Sequence, residues 1–295
     1  MQGIIIVNKE RGFTSFDVVA KLRGILKTKK IGHTGTLDPE AVGVLVVCVG
    51  RATKLVDTLI SYHKVYEAKL LLGQTTDTYD IWGETISESP VDVTEDEIRD
   101  VMSSFVGDIL QAPPMYSAKK VDGKKLYELA RQGKTVERKK VNVTVFGIDI
   151  TDISIPSVSF TVNCSKGTYI RSLCHDIGEK LGCGGCMSAL KRTKTGDFDI
   201  SMAHTLDEIE ALVHAKKTSE VLIPVDEVLG YKKIHVKSNA ASLLENGGFL
   251  LDDDVEEVND FLVEEPLLAY HPDGRFAATY IRKRNGYKLD KYFLE

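Results

Sequence analysis

The order of strand-like and helix-like segments constrains this chain most. Residues 3–7 and 44–49 are unbroken apolar runs of strand length, as expected of buried strands. Residues 64–72, 140–149 and 157–164 alternate apolar with polar, as half-buried strands do. Helices fall between them. Thr14 can cap a helix in which Asp17 stands at the capping-box position, and Val18, Val19, Leu22, Ile25 and Leu26 then mark one face. Thr94 and Glu97 repeat that spacing before residues 94–105. Residues 51–60 and 123–132 read as short helices, the second ended by Gly133, and residues 168–181 as a helix stopped by Gly182. This order is not a strict βαβ alternation. It predicts an α+β fold, a large mixed or antiparallel sheet flanked by helices.

A boundary is expected near Gly230, leaving residues 1–228 as the main domain and 229–295 as a small β-rich one. The small domain should hold a strand (232–236), a helix (239–245), two strands about the turn 271–274, and a last strand after the turn 284–286.

Composition narrows the function classes. No apolar run in the 295 residues is long enough to span a bilayer, and residues 3–7, closed by Asn8-Lys9-Glu10, are too short for a secretory signal. A cytoplasmic protein without membrane contact is expected. The five cysteines (Cys48, Cys164, Cys174, Cys183, Cys186) are an odd number, which argues against a disulfide framework. Cys183-Gly-Gly-Cys186 supplies half of a zinc site but no second pair accompanies it, so no metal is expected. The net charge of −5 hides a segregation: acid gathers in 92–100, 207–210 and 252–265, base in 27–30, 119–125, 131–140, 191–194 and 282–288. Each basic cluster alone fits a solvated face, but together they permit one basic surface.

The segment 32–43, Gly-His-Thr-Gly-Thr-Leu-Asp-Pro-Glu-Ala-Val-Gly, is the densest in chemistry. Its glycines allow close backbone approach, and Pro39 restrains Asp38 to extended geometry. Two readings stay open on these residues: a catalytic carboxylate beside the His33 imidazole, or an Asp turn bonded to its own backbone. A P-loop and a dinucleotide fingerprint are both excluded, because neither glycine pattern occurs here.

Residues 32–39 resemble the signature of the TruB family of tRNA pseudouridine-55 synthases. Further segments are similar to that family in the same order: Lys9 with residues 12–16; Tyr66 and residues 73–78 with Asp80; a central insertion at about 113–135; residues 164–171; and Leu190-Lys191-Arg192. The tail is loosely similar to the family's PUA-like RNA-binding module. Departures are Glu10 where the family has proline, Val42 where threonine is common, and Lys191 in place of arginine.

The resemblance implies isomerisation of uridine 55 in the TΨC arm of tRNA, with no cofactor and no obligatory protein partner. It makes Asp38 the nucleophile, with attack at C1′ and elimination through a glycal both open, Arg171 its ionic partner, and Tyr66 a catalytic residue that stacks on the extruded base and can move a proton. Asp80 would hold Arg171 or the base, and Tyr169 and Leu190 would line the base pocket. His33 would fill the space the base leaves, and Lys9 would support the loop or meet a phosphate. Lys119, Lys124, Lys125 and Arg131 would contact the RNA backbone. Without the family, Tyr66, Tyr169 and Leu190 read equally as core residues and Arg171 as a surface arginine. Three rivals remain: a non-catalytic RNA binder of the same fold, a guide-RNA-dependent synthase, and a hydrolase built on Asp38 and His33 that would release uracil.

Overall fold

The two unbroken apolar runs lie side by side at one end of a mixed sheet. A computed structural model describes residues 1–117, 119–121, 123–134, 136–256 and 260–294, the side chains of Lys120 and Lys125 excepted. Strands Gly3–Lys9 and Val42–Val49 pair antiparallel and are buried on both faces. On one face Ile5, Val7, Leu45 and Val47 meet Val18 and Leu22 of helix Ser15–Leu26 and Ile209 of helix Leu206–His214. On the other, Ile4, Ile6, Val44 and Val46 pack with Leu55 and Leu59, and with Leu268, Tyr270 and Phe293 from the C-terminal part of the chain. A strand covered on both sides has no use for polar residues, so no alternation survives.

From Val42–Val49 the sheet continues through Gly185–Thr195, Lys64–Leu72, Ser157–Cys164 and Val141–Ser154 to Gly107–Gln111. The junction of Val42–Val49 with Gly185–Thr195 is parallel and the other pairings on this path are antiparallel. The expected α+β class with a mixed sheet is what is found. The alternating strands bury one face only. Ala68, Leu70, Phe160 and Val162 lie beneath helices Ile170–Leu181 and Glu95–Ser103.

Both expected capping boxes form, at Thr14/Asp17 and Thr94/Glu97, and Gly182 ends its helix at φ 79°. Other expectations need correction. Residues 51–60 are a 3-10 turn, Gly50–Leu55, running into helix Val56–Ile60. The helix expected over 123–132 shortens to Leu126–Ala130, because Gly123 at φ 80° turns a small hairpin of Lys120–Val121 with Lys124–Lys125. Strand Gly185–Thr195, central to the sheet, carried no readable period. Register shifts at Met187/Ala189 and Arg192/Lys194 put its inward residues out of phase.

Past Gly230 (φ 56°) a second sheet runs in the order Lys232–His235, Pro266–Tyr270, Phe276–Lys283, Gly286–Tyr292. It has its own core around Ile234, Leu244, Leu267 and Tyr280. Its charges largely satisfy each other. Arg282 pairs with Asp252, Lys283 with Glu264 at 2.6 Å, and Lys232 with Glu265 at 2.9 Å. The basic run 282–288 is therefore partly answered by the acidic tail beside it.

Gly178 tests the closest contact of helix and sheet. A Cβ there would lie 2.2 Å from Gly185 N and 2.3 Å from Gly184 C. Alanine gains about 1 kcal/mol of helix propensity, but overpacking against backbone costs about 1–3 kcal/mol. Gly178→Ala is expected to destabilise on balance, with a lower urea midpoint at unchanged m-value. A midpoint at or above wild type would show that the helix can lift without cost.

Candidate active site

The loop carrying Asp38 is fastened from several sides before its carboxylate is considered. Leu37 is buried in the core, and the Ser15 hydroxyl bonds both its carbonyl (3.1 Å) and its N–H (2.9 Å). Pro39 O accepts from Gly12 N at 2.9 Å and from Lys9 Nζ at 3.1 Å. Lys9 is wholly buried and also donates to the carbonyls of Glu10 and Phe13. Burial moves its pKa down to about 8, against the pull of Asp38. In this structure Lys9 supports the loop, and its burial corrects the alternative of a direct phosphate contact. The far end of the loop passes Gly43 at φ 101°, where a Cβ would lie 2.2 Å from Arg192 O. Only glycine fits there.

Against this loop stands Arg171, in the first turn of helix Ile170–Leu181. Its Nε lies 3.0 Å from Asp38 Oδ2, and its Nη2 donates to Asp38 Oδ1 at 3.1 Å, a two-pronged pair. Nη2 also donates to Tyr116 O at 2.9 Å, and Nη1 to Thr78 O at 3.1 Å and, more weakly, to Asp80 Oδ2 at 3.5 Å. Five contacts match the five N–H groups of a guanidinium. The arginine side chain is 6% exposed, whereas the Asp38 side chain is 36% exposed. The cation is sealed in, and the carboxylate faces out.

The start of that helix is fixed by Gln111, whose amide donates to Tyr169 O (3.0 Å) and accepts from Tyr169 N (2.8 Å), and by Ser172 Oγ donating to Ala112 O. Asp80 sits on a turn in which Thr78 Oγ1 (2.7 Å) and Trp82 N (3.2 Å) donate to its Oδ1. Burial raises its carboxyl pKa, with Thr78 and Arg171 opposing.

Asp38 opens on a cleft of about 670 Å³, within the usual range of roughly 300–1,000 Å³ for ligand sites. Tyr66, Asp80, Tyr169, Arg171, Leu190 and Arg131 line it. Burial raises the Tyr66 phenol pKa, with the neighbouring Arg192 guanidinium opposing, so the hydroxyl stays protonated at neutral pH. His33 lies on strand Ile31–His33, outside the cleft lining, and its Nδ1 accepts from Gly35 N at 3.4 Å. Lys119 is half-buried and Lys124 exposed, both away from the lining, and the side chain of Lys125 is outside the described residues.

Two cations were given no role by the sequence reading. Arg192 is buried on the unread strand, opposite Tyr66 in register, and donates from Nε to Val44 O (2.7 Å) and from Nη2 to Gly35 O (3.2 Å). Among the described residues no carboxylate forms an ion pair with it. Lys64 donates to the carbonyls of Ile60 and Tyr62, both at 2.6 Å, and burial, then Arg192, move its pKa down to about 8. Their signal was present, as inward positions of strands at the cleft, but it needed the pairing of those strands to be known.

The fold is that of the pseudouridylate synthases. A chain of a Cbf5–Nop10–Gar1 complex is similar to this one with a TM-score of 0.75 and 27% identity, over 99% of this chain and 85% of that one. A chain from an H/ACA RNP bound to a substrate RNA containing 2′-deoxyuridine gives 0.74 and 26%, with the same coverage. Within the class, the chain belongs to the TruB family. Residues 23–170 match the TruB family pseudouridylate synthase N-terminal domain, and residues 171–230 the tRNA pseudouridylate synthase B C-terminal domain. It is 50% identical to the tRNA pseudouridine synthase B of Lachnoclostridium phytofermentans and 44% to that of Clostridium kluyveri, over the full length of both chains in each case.

Arg171→Lys separates charge from geometry. A lysine keeps one charge but cannot hold both carboxylate oxygens and the two buried carbonyls. Single-turnover rate on saturating RNA is expected to fall about 100-fold or more. Stability should fall by about 1–3 kcal/mol from the carbonyls left without donors. A variant with wild-type turnover would make the clamp structural only.

Proposed function

We propose that this chain converts one uridine of the tRNA T arm, position 55, to pseudouridine, acting in the cytoplasm without a guide RNA or an obligatory protein partner. The observation that carries the chemistry is the Asp38 carboxylate, held by both oxygens on a buried guanidinium yet open to the cleft. The reaction breaks C1′–N1 and forms C1′–C5; C5 gives up its proton and N1 ends protonated, so nothing is oxidised and no group donor is required. Asp38 acts as the nucleophile that divides the step in two. The target base must leave its stack to reach it. Tyr66, buried beside Arg192 in the cleft lining, suits stacking on the base and passing a proton to or from it. Tyr169 and Leu190 form the walls against which the freed base turns.

Stand-alone action is favoured over guide-RNA dependence by the 42–50% identities to tRNA pseudouridine synthases B, against 26–27% for the chains from H/ACA and Cbf5 complexes. A pure RNA binder would have no use for the Asp38–Arg171 clamp. The purified protein alone, given a T-arm stem-loop transcript, should yield pseudouridine and no free uracil. Asp38→Asn should bind the RNA and lose turnover by about 10³-fold or more. Conversion by a contamination-free Asp38→Asn preparation would remove Asp38 from its role, and a requirement for added RNA or protein would favour the guide-dependent reading.

The exposed bases of the insertion, Lys124 and Arg131, together with the C-terminal module as a PUA-like second contact, would hold the RNA backbone. Each phosphate neutralised contributes a slope of about −0.7 to −0.9 to log affinity against log salt. Lys124→Gln with Arg131→Gln should flatten that slope by roughly one to two units. An unchanged slope would place the backbone contacts elsewhere.

A further inference from the structure

The rim of the cleft carries a large group that the chemistry above leaves idle. Trp82 is the single tryptophan of the chain, and it lines the cleft while remaining 42% exposed. Its backbone is held stiffly. Trp82 N donates to Asp80 Oδ1 at 3.2 Å, Gly83 N to Asp80 O at 3.3 Å, and Ile81 N to Met187 O at 3.0 Å. The turn is tight enough that a Cβ on Gly83 would lie 2.2 Å from Thr78 Oγ1. The indole is therefore presented by a rigid turn and is not buried in the core.

Arg11 approaches it, with its guanidinium carbon 5.9 Å from the ring centroid. That is the outer limit of a cation–π contact, about 6 Å. Arg11 orders the ring without sealing it, and its own side chain is 63% exposed. Arg11 also lies 3.7 Å from a carboxylate oxygen of Glu40, two residues beyond Asp38 and itself part of the cleft lining. The ring thus bridges the Asp80 turn and the nucleophile loop, with the insertion's Tyr127 and Arg131 lining the same cleft.

A half-exposed aromatic on a hydrogen-bonded turn, beside an exposed guanidinium at a cleft that must receive an extruded nucleotide, has the chemistry of base stacking. We propose that Trp82, backed by Arg11, is a stacking subsite for a nucleobase of the substrate RNA adjacent to the extruded uridine. The inference rests on the functional reading above. Its role is in binding and register, because an indole has no acid–base group to offer the bond that breaks.

The single tryptophan makes the test direct, since all indole emission comes from Trp82. The Asp38→Asn protein is titrated with an end-labelled T-arm stem-loop, and RNA anisotropy and tryptophan emission are followed together. Emission is expected to change along the same curve as anisotropy. Trp82→Ala should weaken binding about 5- to 150-fold, the range of a lost base–aromatic stack, and Trp82→Phe should restore most of it. On the otherwise wild-type enzyme KM should rise by more than kcat falls, whereas a merely structural loss would not be rescued by phenylalanine in this way. Constant emission while anisotropy reports binding, or wild-type affinity in Trp82→Ala, would overturn the subsite and leave the functional reading intact. Failure of the RNA to bind at all would overturn both.

Discussion

A buried guanidinium cannot be left with idle donors, and Arg171 imposes that condition on four separate segments at once. Each unmade hydrogen bond to a buried charged group costs more than the roughly 1 kcal/mol an ordinary bond contributes. The Asp38 loop, the Thr78–Asp80 turn, the start of the insertion at Tyr116 and the helix from Ile170 must therefore converge for Arg171 to be buried at all. Gln111 and Ser172 then fix the helix end against the strand entering the insertion. Assembly of the site and folding of this part of the sheet are one event. The carboxylate that results is oriented by both of its oxygens before any substrate arrives.

The other buried cations extend the same logic. Lys9 and Arg192 spend donors on backbone carbonyls, three from Lys9 and two from Arg192, and so hold the glycine-rich loop at Pro39 and at Gly35 and Val44. With Lys64 they place positive charge around a cleft whose substrate is a polyanion. The net charge of −5 does not contradict this. Much of the acid lies in residues 252–265, where Asp252, Glu264 and Glu265 neutralise Arg282, Lys283 and Lys232 within the C-terminal module. Local fields, not the sum over the chain, govern what approaches the cleft.

What could be read beforehand follows from the range of each signal. Capping boxes at Thr14 and Thr94 and the stop at Gly182 are decided by residues three or four apart, and they were legible. So were Gly3–Lys9, whose unbroken apolar run announces burial on both faces, and Lys64–Leu72, whose alternation announces one. Strand Gly185–Thr195 was not, because two bulges shift its phase and bulges are set by the neighbouring strand. Arg192 went unassigned for the same reason, and Lys64 because its place at the cleft depends on which strand pairs beside its own. Asp38, Tyr66 and Arg171 were legible as site residues only through a motif resemblance. On their own they read as a turn, a core residue and a surface helix residue, and their meeting across more than a hundred residues of chain is visible only in the fold.

The geometry also bears on the rival hydrolase chemistry. Hydrolysis of a glycosidic bond requires a group that activates water as well as one that stabilises the sugar cation. His33 cannot serve, since it lies outside the cleft with its Nδ1 turned to Gly35 N. Asp80 is in the cleft, but it is tied to Thr78, Trp82 and the same guanidinium that holds Asp38. Glu40, the remaining carboxylate among the described lining residues, lies near Arg11 at the rim. One reactive carboxylate facing a walled cleft suits a reaction in which the detached base is kept and rejoined, and poorly suits one in which water must be aimed at the same carbon.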